Sequence, residues 1–231
     1  MGSGSCDRRV AGALVSRLPV GRSGRREPPD VAISHRAARA FGPTSFGGSD
    51  LERGRTPQEE GPPTKLYLIR HGPAAERSPQ KWPDDDERPL TREGAKASAR
   101  AIEGFTRHVD DVDRLFSSPA RRARATAELL HEELAEPPAL ELVDWLAPGA
   151  PAVTALAQIK RTAARAGRVA IVGHEPQLGA LVGLSVTGEA VSVVRLSKAG
   201  AASLEFPRAL VPSGARLNWL LTRKQLMARG G

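Results

Sequence analysis

RVAIVG, at residues 168–173, is apolar at nearly every position. A run this short and continuous belongs to a strand buried on both faces of a sheet, because a strand with one wet face would alternate polar and apolar side chains. Both faces then need covering, and a parallel sheet achieves this by returning the chain through helices. From Lys65 onward the sequence supplies that alternation. KLYLI reads as a first strand and Pro73 to Pro89 as a long loop. Thr91 is placed to cap a helix running to about His108, with Ala95, Ala99, Ile102 and Phe105 at helical spacing. DRLFS from Asp113 reads as a second strand, followed by a helix from Pro119 to Leu134. ALELV is a short third strand, PAVTALAQIKRTAARAG a helix ended by Gly167, RVAIVG the fourth strand, and PQLGALVGL a helix begun at Pro176. VSVVRL and AASLEF, joined by SKAG, read as a hairpin at the far side of the sheet, with RLNWLLT as a further extended piece. The expected fold is α/β, a three-layer α/β/α sandwich around a mostly parallel central sheet.

Residues 1–63 have a different texture, rich in Gly, Arg, Pro and Ser, and cannot bury enough apolar surface to offset their ordering entropy. They are expected to be a disordered tail, or upstream sequence from a mis-assigned start, with a weak helix around Val31 to Phe41; residues 64–231 form the domain. Arg8 and Arg9 followed by VAGALVS begin like an export signal, but Arg17 and Pro19 interrupt it. MGSGSC places Cys6 where a myristoylation pattern needs Ser or Thr. No apolar run approaches the ~20 residues that span a bilayer, so no membrane partner is expected. The single cysteine, Cys6, leaves no internal disulfide and fits the cytoplasm. The net charge of +8 comes largely from scattered arginines, without a basic stripe interleaved with aromatics, so nucleic acid is not an expected partner. A basic surface does favour anionic substrates.

In open α/β sheets, ligands bind beyond the carboxyl ends of the strands. After LYLI come Arg70, His71 and Gly72; after LFS come Ser118, Pro119, Ala120, Arg121 and Arg122; after AIVG come His174, Glu175 and Pro176. Ser118 suits a helix N-cap and Pro119 a first helical position. That places Arg122 about one turn into the helix, leaning back over the strand ends, while Arg121 and Arg124 point elsewhere. Two histidines and two arginines converging on one crevice describe a phosphoryl-transfer site. The planar guanidinium fork binds phosphate bidentately and keeps its charge. A neutral imidazole can attack phosphorus, and neighbouring cations hold its pKa low enough to leave it neutral. Gly72 would let the backbone approach the phosphate closely.

These segments also carry a resemblance. IRHG after a strand, RPLTREG opening the first helix, SSPARRARATAE, and VGHEP after a late strand resemble, in order, the motifs of the histidine phosphatase superfamily, whose fold is phosphoglycerate-mutase-like. VGHEP, the compact length and the TG, LSKAG and LNW segments are most similar to its SixA-type phosphohistidine phosphatase branch. The resemblance covers Lys65 to about Met227. It implies that His71 is the nucleophile that becomes phosphorylated, that Arg70 and Arg122 bind the phosphate, and that His174 binds it too and stabilises the transferred charge. Arg122, rather than Arg121, matches the SPxxR spacing. The resemblance further implies that no metal or cofactor takes part.

Members of the family that cleave alkyl phosphate esters usually carry an acid that protonates the leaving oxygen, since an alkoxide leaves poorly without one. Glu141, Asp144 and Glu175 are the candidates, with Asp144, just before Trp145, named as the general acid to test; none lies in a convincing acid motif. That absence favours a better leaving group such as the imidazole of phosphohistidine. The expected partner is therefore a phosphorylated protein, the alternative being a small phosphorylated molecule turned over by a broad-specificity phosphomonoesterase. A non-catalytic phosphate-binding relative is a third reading, which the intact set of two histidines and two arginines opposes. Asp84, Asp85, Asp86 and Glu87 either screen substrates at the pocket rim or, as the preferred reading, form a solvated loop in which Asp86 and Arg88 lead into the first helix. Trp145 and Trp219 are expected to pack, while Trp82 is either a lid contact or a cover for the core edge.

Overall fold

The structure, a computed structural model, describes residues 63–109, 111–163 and 166–228. The expected tail before Pro63, with its helix at Val31 to Phe41, lies outside the described residues. In chain order the elements are β1 (Thr64–Arg70), α1 (Arg92–Thr106), β2 (Arg114–Ser117), α2 (Arg121–Glu133), β3 (Leu140–Leu142), α3 (Ala152–Thr162), β4 (Arg168–Gly173), α4 (Gln177–Thr187), β5 (Ala201–Phe206), β6 (Arg216–Leu221) and α5 (Arg223–Met227). Single 3-10 turns lie at Asp85–Glu87 and Asp144–Leu146.

One six-stranded sheet runs in the order β3-β2-β4-β1-β5-β6. β4 is the RVAIVG strand, and it pairs in parallel with β2 on one side and β1 on the other. Its side chains divide between two cores as the apolar run demands: Val169 and Ile171 face one, Ala170 and Val172 the other. The first core is closed by α3 and α4, through Leu156, Ile159, Leu178 and Leu181 packed on Leu66, Leu68 and Ile171. The second is closed by α1, α2 and α5, through Ile102, Phe105, Leu130 and Leu226 packed on Tyr67 and Ile69. Trp145 packs 5.3 Å from Phe116, and Trp219 stacks on Tyr67 at 6.4 Å, so both are packing residues. Trp82 is half-buried in the loop after β1. Each large buried apolar side chain contributes about 1.5–3 kcal/mol, against less than about 1 kcal/mol for an exposed ion pair such as Arg124–Glu128. Packing on both faces therefore holds the three layers together.

Four local expectations are corrected. The buried face of α1 is Gly94, Ser98, Ala101, Ile102 and Phe105, with Ala95 and Ala99 at its margin, because small residues let α1 lie close against the end of β1. Thr91 does cap it, accepting from the Gly94 N–H at 2.8 Å. α2 starts at Arg121 with Ala120 as its N-cap and no side-chain cap on that residue; the Ser118 hydroxyl accepts from the Ala120 N–H at 3.3 Å and also meets His174. α3 ends at Thr162, and the Gly167 carbonyl instead accepts from the Lys65 N–H at 2.7 Å, joining the start of β1. The hairpin is β5 with β6, not VSVVRL with AASLEF. The backbone of VSVVRL is irregular and lies against α4, so its alternating valines do not face a sheet.

Gly104 shows how tightly α5 is seated, because a Cβ there would collide with the Leu226 carbonyl. Alanine improves helix propensity over glycine by about 1 kcal/mol, but overpacking against backbone costs about 1–3 kcal/mol. Gly104→Ala is therefore expected to lower the urea midpoint of unfolding; a raised midpoint would show that α5 does not pack there.

Candidate active site

Register builds the site. β1 and β4 pair with Arg70 opposite Gly173, and β2 and β4 with Ser117 opposite Val172. The residues that follow, His71, Ser118 and His174, thus emerge side by side from three adjacent parallel strands. Neighbouring strands lie about 4.7–4.9 Å apart, and the two imidazole centroids stand 5.0 Å apart with their planes at 51°. The SKAG turn buttresses this end: the Ala199 N–H reaches the carbonyls of both Arg70 and His71 at 3.1 Å. Ala199 does so at φ 56°, a left-handed conformation costly for a residue with a Cβ.

His71 is 6 % exposed and its Nδ1 lies 2.7 Å from the Gly72 carbonyl. A carbonyl can only accept, so Nδ1 carries the proton and the lone pair sits on Nε2. Burial, helped by Arg122, Arg70 and Lys198, pushes the His71 pKa down from 6.5 to about 4, outweighing the opposite pull of the Gly72 carbonyl. The ring is neutral and its Nε2 nucleophilic at pH 7.

His174 is 4 % exposed, with Nε2 2.9 Å from the Ser118 hydroxyl, which also accepts from the Ala120 N–H at 3.3 Å. Burial first, then His71, Arg122 and Arg70, lowers its pKa to about 3. The same two guanidinium groups lie close enough to both rings to lower the pKa of each.

Arg122 is 3 % exposed, while Arg121 and Arg124 face solvent. Arg122 Nη1 donates to the Asp85 carbonyl at 2.6 Å, and Nη2 lies 3.2 Å from the Asp85 carboxylate and 4.0 Å from that of Asp86. Arg70 Nη1 donates to the Leu196 carbonyl at 2.8 Å. The Nε atoms of both arginines are buried with no hydrogen-bond partner. A buried donor left unsatisfied costs about 1–3 kcal/mol, and two such donors beside two neutral rings form a place where an oxyanion gains. Among the described residues no group of three or more His, Cys, Asp or Glu side chains gathers in a way that could hold a metal.

The structure thus brings together His71, Arg70, Arg122 and His174, and it corrects two other assignments. Gly72 does not offer its backbone to a phosphate: its N–H donates to Thr126 Oγ1 at 3.0 Å, and a Cβ would collide with the Ser98 hydroxyl of α1. Glycine is needed there to seat α1 and α2 against the end of β1. Asp144 is exposed at the start of a 3-10 turn, and none of the hydrogen bonds or ion pairs among the described residues ties its carboxylate to either histidine. Glu141 is held by Arg114 at 2.6 Å, and Glu175 Oε1 accepts from the Leu196 N–H at 2.7 Å.

The acidic loop is the residue group that pattern reading undervalued. Asp85, not Asp86, is the partner of Arg88, whose Nε donates to its carboxylate at 3.0 Å while Nη1 holds the Ala75 carbonyl at 2.8 Å. The guanidinium groups of Arg88 and Arg122 hold the Asp85 carboxyl below its ordinary range. Asp85 is thus tied to Arg122 as well as to Arg88, so the loop is more than a solvated lead into the first helix. The spacing of three between Asp85 and Arg88 was the available signal; the link to Arg122 spans 37 residues and left none.

Comparison with known proteins agrees with this geometry. The profile of the histidine phosphatase superfamily (branch 1) matches residues 66–144. An uncharacterized protein of Picosynechococcus sp. is 34% identical over 141 residues, which is 59% of this chain and 81% of that protein. The structure of the protein histidine phosphatase SixA complexed with tungstate superposes with a TM-score of 0.59 and 26% identity, covering 71% of this chain and 99% of the other. A protein assigned as phosphohistidine phosphatase SixA from Nakamurella multipartitia superposes with a TM-score of 0.56 and 25% identity, covering 70% of this chain and 96% of the other.

Both histidine pKa values lie below that of the unfolded chain, so between pH 6.5 and about 4 the unfolded state binds more protons. Stability is full above pH 6.5 and falls as the pH drops through that window. In ring NMR titrations His71 is expected to change protonation near pH 4 and His174 lower still. A midpoint near 6.5 for either ring would mean that it is neither desolvated nor faced by the two arginines.

Proposed function

Because the chain belongs to the histidine phosphatase superfamily, in its SixA-like branch, we propose that it is a phosphohydrolase that passes the phosphoryl group through His71 and acts on phosphohistidine in proteins. The observation that carries this reading is the pair of buried, unpartnered Nε donors of Arg70 and Arg122, two guanidinium groups that add to burial in holding both imidazoles neutral.

In the first step the His71 Nε2 lone pair attacks phosphorus. A P–N bond forms to His71 as the bond to the leaving nitrogen breaks, and that nitrogen keeps the electron pair. A substrate imidazole already protonated at its other nitrogen leaves neutral, so no protein acid is required. Charge on the transferring oxygens is met by Arg70 and Arg122, preorganised in a site from which water is largely excluded. His174 faces the same oxygens, with Ser118 fixing its ring. In the second step water attacks phosphorus, inorganic phosphate departs, and His71 recovers its lone pair with Nδ1–H still on the Gly72 carbonyl. This scheme draws its positive charge from the guanidinium groups and needs no metal.

An alkyl phosphate would instead leave as an alkoxide and need a proton donor beside the bridging oxygen. Asp144 is exposed, Glu141 is ion-paired and Glu175 is held by the Leu196 N–H, so a phosphohistidine substrate accords better with the site than a sugar phosphate. The single Cys6 supports placing the protein in the cytoplasm.

The test is a panel of phosphohistidine peptide, sugar phosphate and nucleotide. The phosphohistidine peptide is expected to give the highest kcat/KM. Arg122→Ala is expected to reduce kcat by about 10²–10³-fold, and Arg121→Ala by less than about twofold. Comparable losses in the two variants, or a preference for sugar phosphate, would contradict the assignment.

A further inference from the structure

Residues 191–196, between α4 and the SKAG turn, were expected to form a strand and instead form a strap across α4. Two glycines spaced by four on that helix make room for it. A Cβ at Gly179 would collide with Ser192 Oγ and the Val194 carbonyl, and one at Gly183 with the Val191 carbonyl. The strap is tied to the site at its other end. Leu196 takes Arg70 Nη1 on its carbonyl at 2.8 Å and gives its N–H to Glu175 Oε1 at 2.7 Å, with its side chain fully buried in the first core. The same Arg70 guanidinium that faces the histidines therefore anchors this strap.

The outer side of the strap is unlike that of a settled loop. Val191 and Val193 are 57% and 52% exposed. Arg195 faces solvent, with no ion pair to any described residue. Between the strap, Glu175, Pro176 and Arg70 lies an open cavity of about 540 Å³. One water takes up about 30 Å³ of liquid, so the cavity has room for more than a single small group, and its lining leads from Arg70 along the strap through Ser192, Val193, Val194 and Arg195. Val191 lies beyond the cavity lining, so a ligand that reached from Arg70 to Val191 would be extended, as a polypeptide is.

We infer that the Val191–Arg195 strap seats the polypeptide that bears the phosphoryl group, with Val191 and Val193 taking an apolar side chain and Arg195 an acidic one flanking the phosphorylated residue. This rests on the phosphohistidine reading above and adds how such a substrate is chosen. Its continuity with Arg70 places a peptide seated there next to the proposed phosphate site, where Arg195 lines the cavity and the exposed Lys198 lies near enough to His71 to lower its pKa. Glu175 also lines the cavity, its Oε1 held by the Leu196 N–H and its charge set against that of Arg70.

The test uses two synthetic phosphohistidine peptides, one with Glu and one with Lys flanking the phosphohistidine and both with a nearby Leu, alongside phosphoramidate. The wild-type protein is expected to favour the Glu peptide in kcat/KM by about three- to fivefold, the scale of one exposed charge pair. Arg195→Glu should reverse that order, and Val193→Asp should lower kcat/KM on both peptides by a larger factor than on phosphoramidate. An Arg195→Glu protein that keeps the wild-type order, or a Val193→Asp protein that loses peptides and phosphoramidate equally, overturns the strap's role. Failure of the wild-type protein to turn over all three overturns the phosphohistidine reading, and the strap's role with it.

Discussion

The pairing of β1 with β4 in parallel, Arg70 opposite Gly173, is the constraint on which the site depends. It converts two residues a hundred positions apart into two rings 5.0 Å apart, without any contact between the histidines having to hold them. A slip of one residue in that ladder would turn every side chain of β1 to the other face and drive Leu66 and Leu68 out of the first core. The geometry of the site is therefore fixed by hydrophobic burial in two cores, at a depth where no single polar contact could be decisive.

Given that frame, the chemistry follows from a tension between burial and charge. Removing Arg70 and Arg122 from water is costly, and the protein meets part of that cost with backbone carbonyls at Leu196 and Asp85 and with the Asp85 carboxylate. It leaves the two Nε donors unmet. Full satisfaction would give a more stable but less receptive pocket, in keeping with the wider rule that functional sites carry local violations balanced elsewhere. The same burial keeps both imidazoles neutral, so the conditions that favour anion binding also leave a ring lone pair free for the proposed attack.

Most of the fold was legible because its signals are local or periodic. The apolar run of RVAIVG announced a central strand, Thr91 announced a helix start, and IRHG, SPARR and VGHEP marked three strand ends that the sheet order brings together. What escaped depends on long-range partners. Ser118 looked like a helix cap, and its hydroxyl does accept from the Ala120 N–H, but it also meets His174, 56 residues away. Gly72 looked like a phosphate contact, yet its bare Cα is required by Ser98 on α1. VSVVRL has the alternation of a strand, but the glycines of α4 capture its backbone first and leave Val191 and Val193 in solvent. In each case the local pattern was correct as chemistry and was overruled by a neighbour distant in sequence.

The central claim is that one ring nitrogen, Nε2 of His71, carries the phosphoryl group between substrate and water. Trapping the phosphorylated protein and locating phosphorus by 31P–15N coupling in histidine-labelled material tests it most directly. The account predicts coupling to Nε2 of His71, with Nδ1 still protonated and His174 unmodified. Phosphorus on His174, on Nδ1 of His71, or on any other residue would contradict it.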